Sequence, residues 1–392
     1  MSDRISDLPD PILCQILSSL PTKLAATTTV LSHRWKSLHL QLSILDFNDE
    51  TFQHFNSFIH FTSTVISSRD ITVPVHSLTF KCSNKTSSSH QRLMLNEVLN
   101  SVFDRIRVEN LRSLEIASNG NLIVQLPRRV LSCKNLQVLK LNNAIMEDSC
   151  NSSGLGFESR FDFPLLKILH WNGLKFLTAE FLVKFMSSCP VLEELHAYGS
   201  SHVSLAHDSE EKFNPFPNLA TATIFDHNVP ITLLSEVQSL HLKMNRRWIR
   251  CEQLPLFHQL TNIDIIFTYI LLKDALKWLL ELLGNCPKLQ NFKIQDSTDG
   301  YGYLIEVVGD YWIDPPTVPQ CLSSQLKTFF LGGYKGNENE FQFVRYIMQN
   351  SKVLQTMTIK STLDADIDRK HQMIRELSST TMTSTACKLL FD

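Results

Sequence analysis

A hydrophobic and polar pattern of six positions recurs along most of the chain. In each copy an apolar residue is followed by two variable residues, a large apolar residue, one variable residue and a further apolar residue. Copies begin at Val75, Leu111, Leu136, Leu166, Leu192, Leu219, Val237, Leu260, Leu289, Leu326 and Leu354. Because side chains alternate between the two faces of a strand, each copy predicts a short strand with one buried face.

Turns and helices are predicted between these strands. Several copies follow a lead-in of Ser or Asn and then Cys or Ser, as at Cys133, Cys189, Cys286 and Ser351. Amphipathic helical stretches such as 179–186 and 273–283 come before some of these lead-ins. The copies are mostly about 23 to 30 residues apart, in or near the range of leucine-rich repeats, and one such unit cannot bury its own apolar face. The pattern therefore predicts a leucine-rich-repeat solenoid, a horseshoe with parallel strands on its concave side. An ordinary α/β sheet protein would not explain the recurring lead-in.

The residues between the apolar strand positions are the candidates for binding a target protein, because they point away from the core. They are Glu115, Lys140, His170, Glu194, His196, His241, Asp264, Lys293 and Phe330. Three of them are histidines at the same place in their repeats. These histidines either form a recognition stripe or are polar residues that any solvated strand face tolerates. The mixed charge of the whole set argues against a phosphate or nucleic-acid reader.

Apolar residues near the N-terminus recur at helical spacing and form one stripe, at Ile12, Leu13, Ile16, Leu17 and Leu20. The sequence predicts an N-cap at residue 7, an end to the first helix at 21–22, a second helix over about 23–31 and a third from about 33. Helices this short bury little of their own surface. They either cap the domain that follows or bind a partner, and the pattern alone leaves both open.

These N-terminal residues closely resemble the F-box, departing from it at Leu24, where an acidic residue is usual. The resemblance implies docking onto Skp1, the adaptor of a cullin-based ubiquitin ligase. The residues that would face Skp1 or pack the helices together are Leu8, Pro9, Ile12, Leu13, Ile16, Leu17, Leu20, Val30, Leu31 and Trp35. The resemblance further implies that substituting Leu17 with aspartate abolishes Skp1 binding.

The C-terminal segment resembles the FBD domain of plant F-box proteins. The resemblance runs from Val318 through the glycine-rich stretch 332–336 to the closing stretch 384–391. An F-box, leucine-rich repeats and an FBD segment, in this order, resemble the plant F-box/FBD/LRR-repeat family over nearly the whole chain. The predicted fold class is α/β: a helical F-box over 1–45, degenerate repeats forming a horseshoe over 46–315, and an α/β FBD segment over 316–392 that continues the solenoid.

The resemblance implies a substrate-recognition subunit of an SCF-type ubiquitin ligase, which uses a Skp1-type adaptor and a cullin, needs no cofactor or metal and catalyses nothing itself. The target protein is not identified by the sequence. Two other functions stay open at this point: a small-molecule-dependent receptor of the same architecture, and a repeat scaffold that works outside a ligase.

Composition changes this interpretation little. The chain has 392 residues and a formal net charge of −2, so nothing indicates binding to nucleic acid. Its nine cysteines lack a Cys-x-x-Cys motif or zinc spacing, which favours a reduced, intracellular protein in the cytoplasm or nucleus. The most apolar window, 263–283, contains five charged residues and is not expected to span a membrane.

Overall fold

The computed structural model describes residues 5, 7–83, 89–118, 123–146, 161–176, 179–199, 216–226, 228–244, 254–267, 272–296, 312–362 and 367–392. The chain divides into two compact units, which we call unit one and unit two. Unit one comprises residues 1–192 and 198–211, and unit two comprises residues 193–197 and 212–392.

Unit one begins with short helices and continues with alternating strands and helices. Its helices are α1 (Asp10–Ser18), α2 (Thr22–Thr27), α3 (His33–Leu38), α4 (Phe55–Ser68), α5 (Ser89–Arg105) and α6 (Ala179–Ser187). Its strands are β1 (Ile44–Asn48), β2 (Ser77–Cys82), β3 (Ser113–Ser118), β4 (Val124–Gln125), β5 (Val138–Asn142), β6 (Ala144–Met146), β7 (Ile168–Asn172) and β8 (Lys175–Phe176). The strands β1, β2, β3, β5 and β7 pair in that order, all in parallel, and β4, β6 and β8 form a small second sheet.

Unit two repeats the same alternation. Its strands are β9 (Glu194–Tyr198, whose last residue belongs to unit one), β10 (Thr221–Ile224), β11 (Ser239–Met244), β12 (Asn262–Phe267), β13 (Asn291–Asp296), β14 (Thr328–Tyr334), β15 (Thr356–Ser361) and β16 (Lys388–Phe391). Each pairs in parallel with the next in chain order. Its helices are α7 (Leu272–Gly284), α8 (Gln320–Ser324), α9 (Glu338–Asn350) and α10 (Ile367–Ser379).

Every predicted copy of the six-residue pattern forms a strand, which confirms the reading of the repeats as strand units. The register brings equivalent residues side by side, so that Leu114 lies opposite Leu139, and Leu139 opposite Leu169. These leucines are buried, and the residues between them are partly exposed. Every second residue of these strands is buried, and the burial of its apolar side chain stabilises the fold. This alternation is the physical basis of the recurring pattern.

The sequence analysis missed one copy of the pattern. Leu42, Leu45 and Phe47 have the same spacing, and they lie at β1. The predicted domain boundary at residue 45 therefore falls inside a strand. Leu42 also packs into the core of the N-terminal helices, so that one residue serves both the helices and the first repeat.

The recurring lead-in forms a turn with a buried sulfur. The backbone N–H of Leu136 donates to the carbonyl of Cys133, and Leu192 donates in the same way to Cys189. Both thiols are buried, and burial raises the pKa of Cys133 and Cys189 to about 12. A thiol with so high a pKa is not a nucleophile at neutral pH, so these cysteines fill space at the turn.

The N-terminal helices follow the predicted order, but their bounds differ: α1 ends at Ser18 and not at 21–22, and the helix predicted over about 23–31 ends at Thr27 and is followed by a 3-10 turn over Thr28–Val30. Helix α1 begins at Asp10, not after Asp7, and its N-cap is Pro9, whose side chain makes no capping hydrogen bond. Prolines fix φ at a helical value and lack the N–H that the first turn would leave unpaired. Two prolines, Pro9 and Pro11, therefore start this helix without a polar cap. None of the helices in the described residues is long and apolar enough to cross a membrane.

Candidate partner-binding surfaces

The N-terminal helices fold around a core of their own. Leu13, Leu17 and Trp35 are buried in it, and Leu8, Cys14 and Leu20 pack partly buried against it. Other members of the core are Ala25, Leu38 and Leu42. Roughly half of the predicted Skp1-binding residues are therefore packing residues of the helical segment itself.

The remaining apolar residues of these helices lie at the surface. Ile12 is 44% exposed, Ile16 43% and Val30 85%. We call the following set the docking face: Ile12, Ile16, Leu24, Val30 and Leu31. Pro9 is exposed as well. Leu24 was not predicted as a site residue, although its departure from the usual acidic residue was the signal that could have found it.

Polar contacts hold the helices in place beneath this face. The Arg34 guanidinium donates through Nη2 to the backbone carbonyl of Leu8 at 2.6 Å and through Nε to Asp10 Oδ1 at 2.8 Å. The hydroxyl of Thr22 accepts a hydrogen bond from the backbone N–H of Asp46 at 2.7 Å. The first contact joins α3 to α1, and the second joins α2 to the outer edge of β1. These hydrogen bonds fix the positions of the helices that carry the docking face.

The strand face of unit one carries three of the predicted target-binding residues in one row. The register places Asp46, Thr79, Glu115, Lys140 and His170 opposite one another on β1, β2, β3, β5 and β7. All are half-buried. Burial raises the pKa of Asp46, and Glu115 raises it further while Lys81 acts in the opposite direction. Lys81 forms a 2.8 Å ion pair with Glu115.

A polar cleft lies where β1, β2 and β3 end. It is lined by Asn48, Glu50, Lys81, Cys82, Ser83, Glu115 and Ala117 and has a volume of about 230 Å³. Ligand pockets usually hold about 300 to 1,000 Å³. A second, apolar cavity in unit two, beside Leu276 and Phe343, has only about 20 Å³, which is room for a single water. Neither cavity favours the small-molecule receptor.

The strand face of unit two carries the other predicted target-binding residues. His196, Thr223, His241, Asp264, Lys293 and Phe330 lie opposite one another on β9 to β14. Glu194 precedes His196 on β9, with 3.4 Å between its Oε1 and the imidazole Nε2. All the predicted residues are half-buried, as outward positions should be.

Asp264 lies at the centre of this row and is satisfied by its neighbours. Its carboxylate accepts hydrogen bonds from Lys293 Nζ at 2.8 Å and from Gln295 Nε2 at 3.0 Å. His241 Nε2 lies 4.0 Å away. The ring of Phe225 stands edge-on to the His241 imidazole, with 5.0 Å between the centroids. Sequence reasoning missed Phe225 and Gln295. Each lies two residues after a member of the row described above and on the same face, so the alternation of side chains along a strand could have found them.

The environment of His241 predicts a pH dependence of stability. Burial lowers the pKa of His241 and Lys293 lowers it further, while Asp264 acts in the opposite direction. The unfolded chain therefore binds a proton at this histidine more readily than the folded chain. The stabilising contribution is present above the unfolded pKa, near 6.5, and is lost as the pH falls through and below that value.

We expect the melting temperature of the wild type to fall more between pH 7.5 and about 5.5 than that of His241→Gln, which lacks the titrating group. Differential scanning calorimetry across this range measures the difference. His258→Gln, at an exposed position, is the matched control and should follow the wild type. Parallel curves for wild type and His241→Gln would contradict the prediction.

Gly332 and Gly333 lie within β14, and residues 335–337 connect this strand to α9. A register shift interrupts the pairing of β14 with β15 between Gly332 and Tyr334. The buried carboxylate of Glu340 then accepts the backbone N–H groups of Lys335 at 2.9 Å and Gly336 at 3.1 Å, and Asn337 caps the start of α9. The Glu340 carboxylate therefore already binds the backbone N–H groups that a phosphate-binding loop would offer to a phosphate.

Comparison with known protein families identifies both ends of the chain. The F-box domain model matches residues 5–38, which contain α1, α2, α3 and the whole docking face. The FBD model matches residues 314–359, which contain the Glu340 turn. An F-box protein of this kind generally acts as a substrate adaptor of an SCF ubiquitin ligase and binds Skp1 through its F-box.

Similar proteins in Arabidopsis thaliana extend this likeness to the whole chain. An F-box/FBD/LRR-repeat protein is 25% identical, and the alignment covers 100% of both chains. An FBD-associated F-box protein is 26% identical over 99% of this chain and 100% of its own. The resemblance to plant F-box/FBD/LRR-repeat proteins is thus confirmed, with a mixed α/β fold that begins with a helical F-box. The assignment of 360–392 to the FBD segment stays a prediction.

Proposed function

We propose that this protein is the substrate-recognition subunit of an SCF-type ubiquitin ligase in the cytoplasm or nucleus. The observation that carries the proposal is the docking face. The N-terminal helices complete their own core with Leu13, Leu17 and Trp35, and they still leave five large apolar side chains at the surface. Several large apolar side chains left exposed on one small folded element are typical of an interface.

The proposed mechanism is positioning. The docking face binds a Skp1-type adaptor and, through it, a cullin, while the strand faces hold a target protein. The ligase then brings lysines of the target close to a ubiquitin-loaded enzyme, and the gain in effective concentration accelerates transfer. The chain itself forms and breaks no bond, which agrees with the raised pKa of its buried cysteines at the repeat turns.

We also propose that the repeated units are leucine-rich repeats of a solenoid that carries the target. Within each unit, the support is the parallel register, in which successive repeat strands present buried apolar residues beside one another. In repeats of this kind each unit completes the core of the next, so the outward residues form a continuous surface.

Co-purification of the full chain with a Skp1-type adaptor tests the proposal. The double variant Val30→Asp, Leu31→Asp should reduce adaptor binding at least 30-fold, since a buried interface anchor contributes about 2 kcal/mol or more. Both residues are exposed in the free chain, so the variant should fold normally. Val353→Asp, at an exposed apolar position in unit two, is the matched control and should bind like wild type.

Two results would overturn the proposal. One is retention of the adaptor by the double variant at wild-type affinity. The other is a wild-type chain that co-purifies with neither adaptor nor cullin from a cell extract, which would favour a scaffold outside the ligase.

A further inference from the structure

The last strand of unit two, β16, has one edge that no other strand covers in the described part of the chain. It pairs in parallel with β15 on its other side, and the order of strands ends with it. We propose that this open edge pairs with the same edge of a second copy of the chain, in an antiparallel arrangement about a two-fold axis. The inference goes beyond the proposed function and does not depend on adaptor binding.

The backbone hydrogen bonds of β16 show which groups face the open edge. The N–H groups of Lys388 and Asp392 donate to carbonyls of the neighbouring segment 355–359, at 2.9 Å and 3.0 Å. The N–H and C=O groups of successive residues in a strand point alternately to its two sides. Those of Leu389 and Phe391 therefore point away from β15. An edge of this kind is a template for a further strand.

The apolar side chains of β16 are less covered than those of the strand beside it. Met357 and Ile359 of β15 have no exposed surface. Leu389 and Phe391, which lie opposite them on β16, are only half-buried. Leu390, on the other face, is 52% exposed. A further strand at this edge would cover apolar side chains on both faces, which stabilises the pairing.

The sequence of the strand is complementary to itself. In an antiparallel pair centred on Leu390, Leu389 of one copy lies opposite Phe391 of the other, and these are the residues whose backbone groups face the open edge. Each such pair exchanges two hydrogen bonds, so the two pairs supply about four. The same register places Lys388 of each copy opposite Asp392 of the other. It also brings the two Leu390 side chains together, in the closer kind of cross-strand pair.

The two charged residues of this register are accessible in the single chain. Asp392 approaches Lys360 at 3.7 Å, but its side chain is 82% exposed, and a carboxylate has room for more than one donor. Lys388 is exposed too. A lysine at the edge of a sheet usually prevents strands from associating. Here the antiparallel register places it opposite a carboxylate, which favours the association instead.

The first strand of unit one makes a head-to-tail arrangement less favourable. The backbone N–H of Asp46 on β1 donates to the hydroxyl of Thr22 at 2.7 Å, so α2 already occupies part of that edge. The edge of β16 therefore finds its best complement in another β16. A contact between identical surfaces closes as a dimer and does not extend into a filament. For the proposed ligase subunit, a dimer would offer two target-binding surfaces, which raises the affinity for a target with two recognised segments.

Sedimentation equilibrium of the full chain over micromolar concentrations tests the inference. The wild type should approach twice the chain mass of 44.9 kDa as its concentration rises, with the weak affinity that a small interface predicts. Leu390→Asp, which places two carboxylates side by side at the two-fold axis, should weaken the association at least tenfold. Val318→Asp, at an apolar position of unit two that is 45% exposed, is the matched control and should associate like wild type.

An exchange of charges tests the register. Lys388→Glu and Asp392→Lys should each weaken the dimer at least tenfold, because each places like charges opposite one another in both pairs. The double variant Lys388→Glu, Asp392→Lys exchanges the charges and should restore the association.

Three results would overturn the inference: a wild-type chain that stays monomeric, a dimer that Leu390→Asp leaves unchanged, and a double variant as weak as the single ones. Adaptor retention in the same preparations separates the two proposals. Adaptor binding by a monomeric wild type defeats this inference alone, whereas a dimer that binds no adaptor defeats only the proposed function.

Discussion

Leu17→Asp is expected to unfold the N-terminal helices, whereas Ile16→Asp, one residue earlier on the same helix, is expected to leave them folded. Leu17 has no exposed surface and contacts the core around Trp35, while Ile16 is 43% exposed. Removing a buried leucine side chain costs about 2 to 5 kcal/mol, and placing an unpaired carboxylate in the same position adds to this. At Ile16 the cost should stay below about 1 kcal/mol.

Hydrogen exchange across residues 10–38 distinguishes the two variants. Leu17→Asp should lose amide protection throughout this segment, and Ile16→Asp should keep it. Adaptor binding should fall in both variants, but for different reasons: loss of the scaffold in the first and loss of a contact in the second. Full protection in Leu17→Asp would show that the helices do not depend on this core. Wild-type adaptor binding by Ile16→Asp would place the adaptor on another surface.

Phe329→Ala is expected to destabilise unit two by about 3 to 5 kcal/mol, and Phe330→Ala by about 1 kcal/mol or less. The two positions are adjacent on β14 and differ only in the face on which they lie. Phe329 is 1% exposed, and its ring centroid lies 5.6 Å from that of Phe292 and 6.2 Å from that of Phe343. Phe330 points outward beside Lys293.

Urea unfolding of the full chain, followed by fluorescence, measures this difference. The midpoint should fall strongly for Phe329→Ala and little for Phe330→Ala, with the same chemical change in both. Target binding should show the opposite order. A similar loss of stability in both variants would mean that the strand is buried on both faces, which would remove Phe330 from the proposed target surface.

Much of the fold could be predicted because its signals are local and periodic. Every copy of the six-residue pattern became a strand, and the amphipathic stretches 179–186 and 273–283 became α6 and α7. An apolar residue at every second position can be buried only by a strand that keeps one face inward, and the helical spacing requires a helix in the same way. The missed copy at Leu42 carries the same pattern and was obscured by its closeness to the F-box.

The functional surfaces could be predicted only in part. The apolar stripe of α1 is wide, so the pattern marks Ile12, Leu13, Ile16 and Leu17 equally. The neighbours in space decide which of them form the core: Trp35 and Leu38 lie against Leu13 and Leu17, and nothing in the described chain covers Ile12 and Ile16 to the same extent. The sequence also did not show that Asp7 fails to cap the helix. Two prolines can start the helix without a polar cap, and the sequence alone does not distinguish the two ways of starting it.

The eleven predicted repeat strands, the three N-terminal helices, α6, α7 and the family likeness could be read from the sequence alone, because hydrophobic periodicity and motif residues are properties of short segments. Which apolar residues remain outside the helical core, and which charges meet across the strands, depends on the folded arrangement of the chain. Asp264 and Lys293 are 29 positions apart and form an ion pair solely because the parallel register places β12 beside β13. Contacts between distant segments depend on this register, which pairs strands that lie far apart in the sequence.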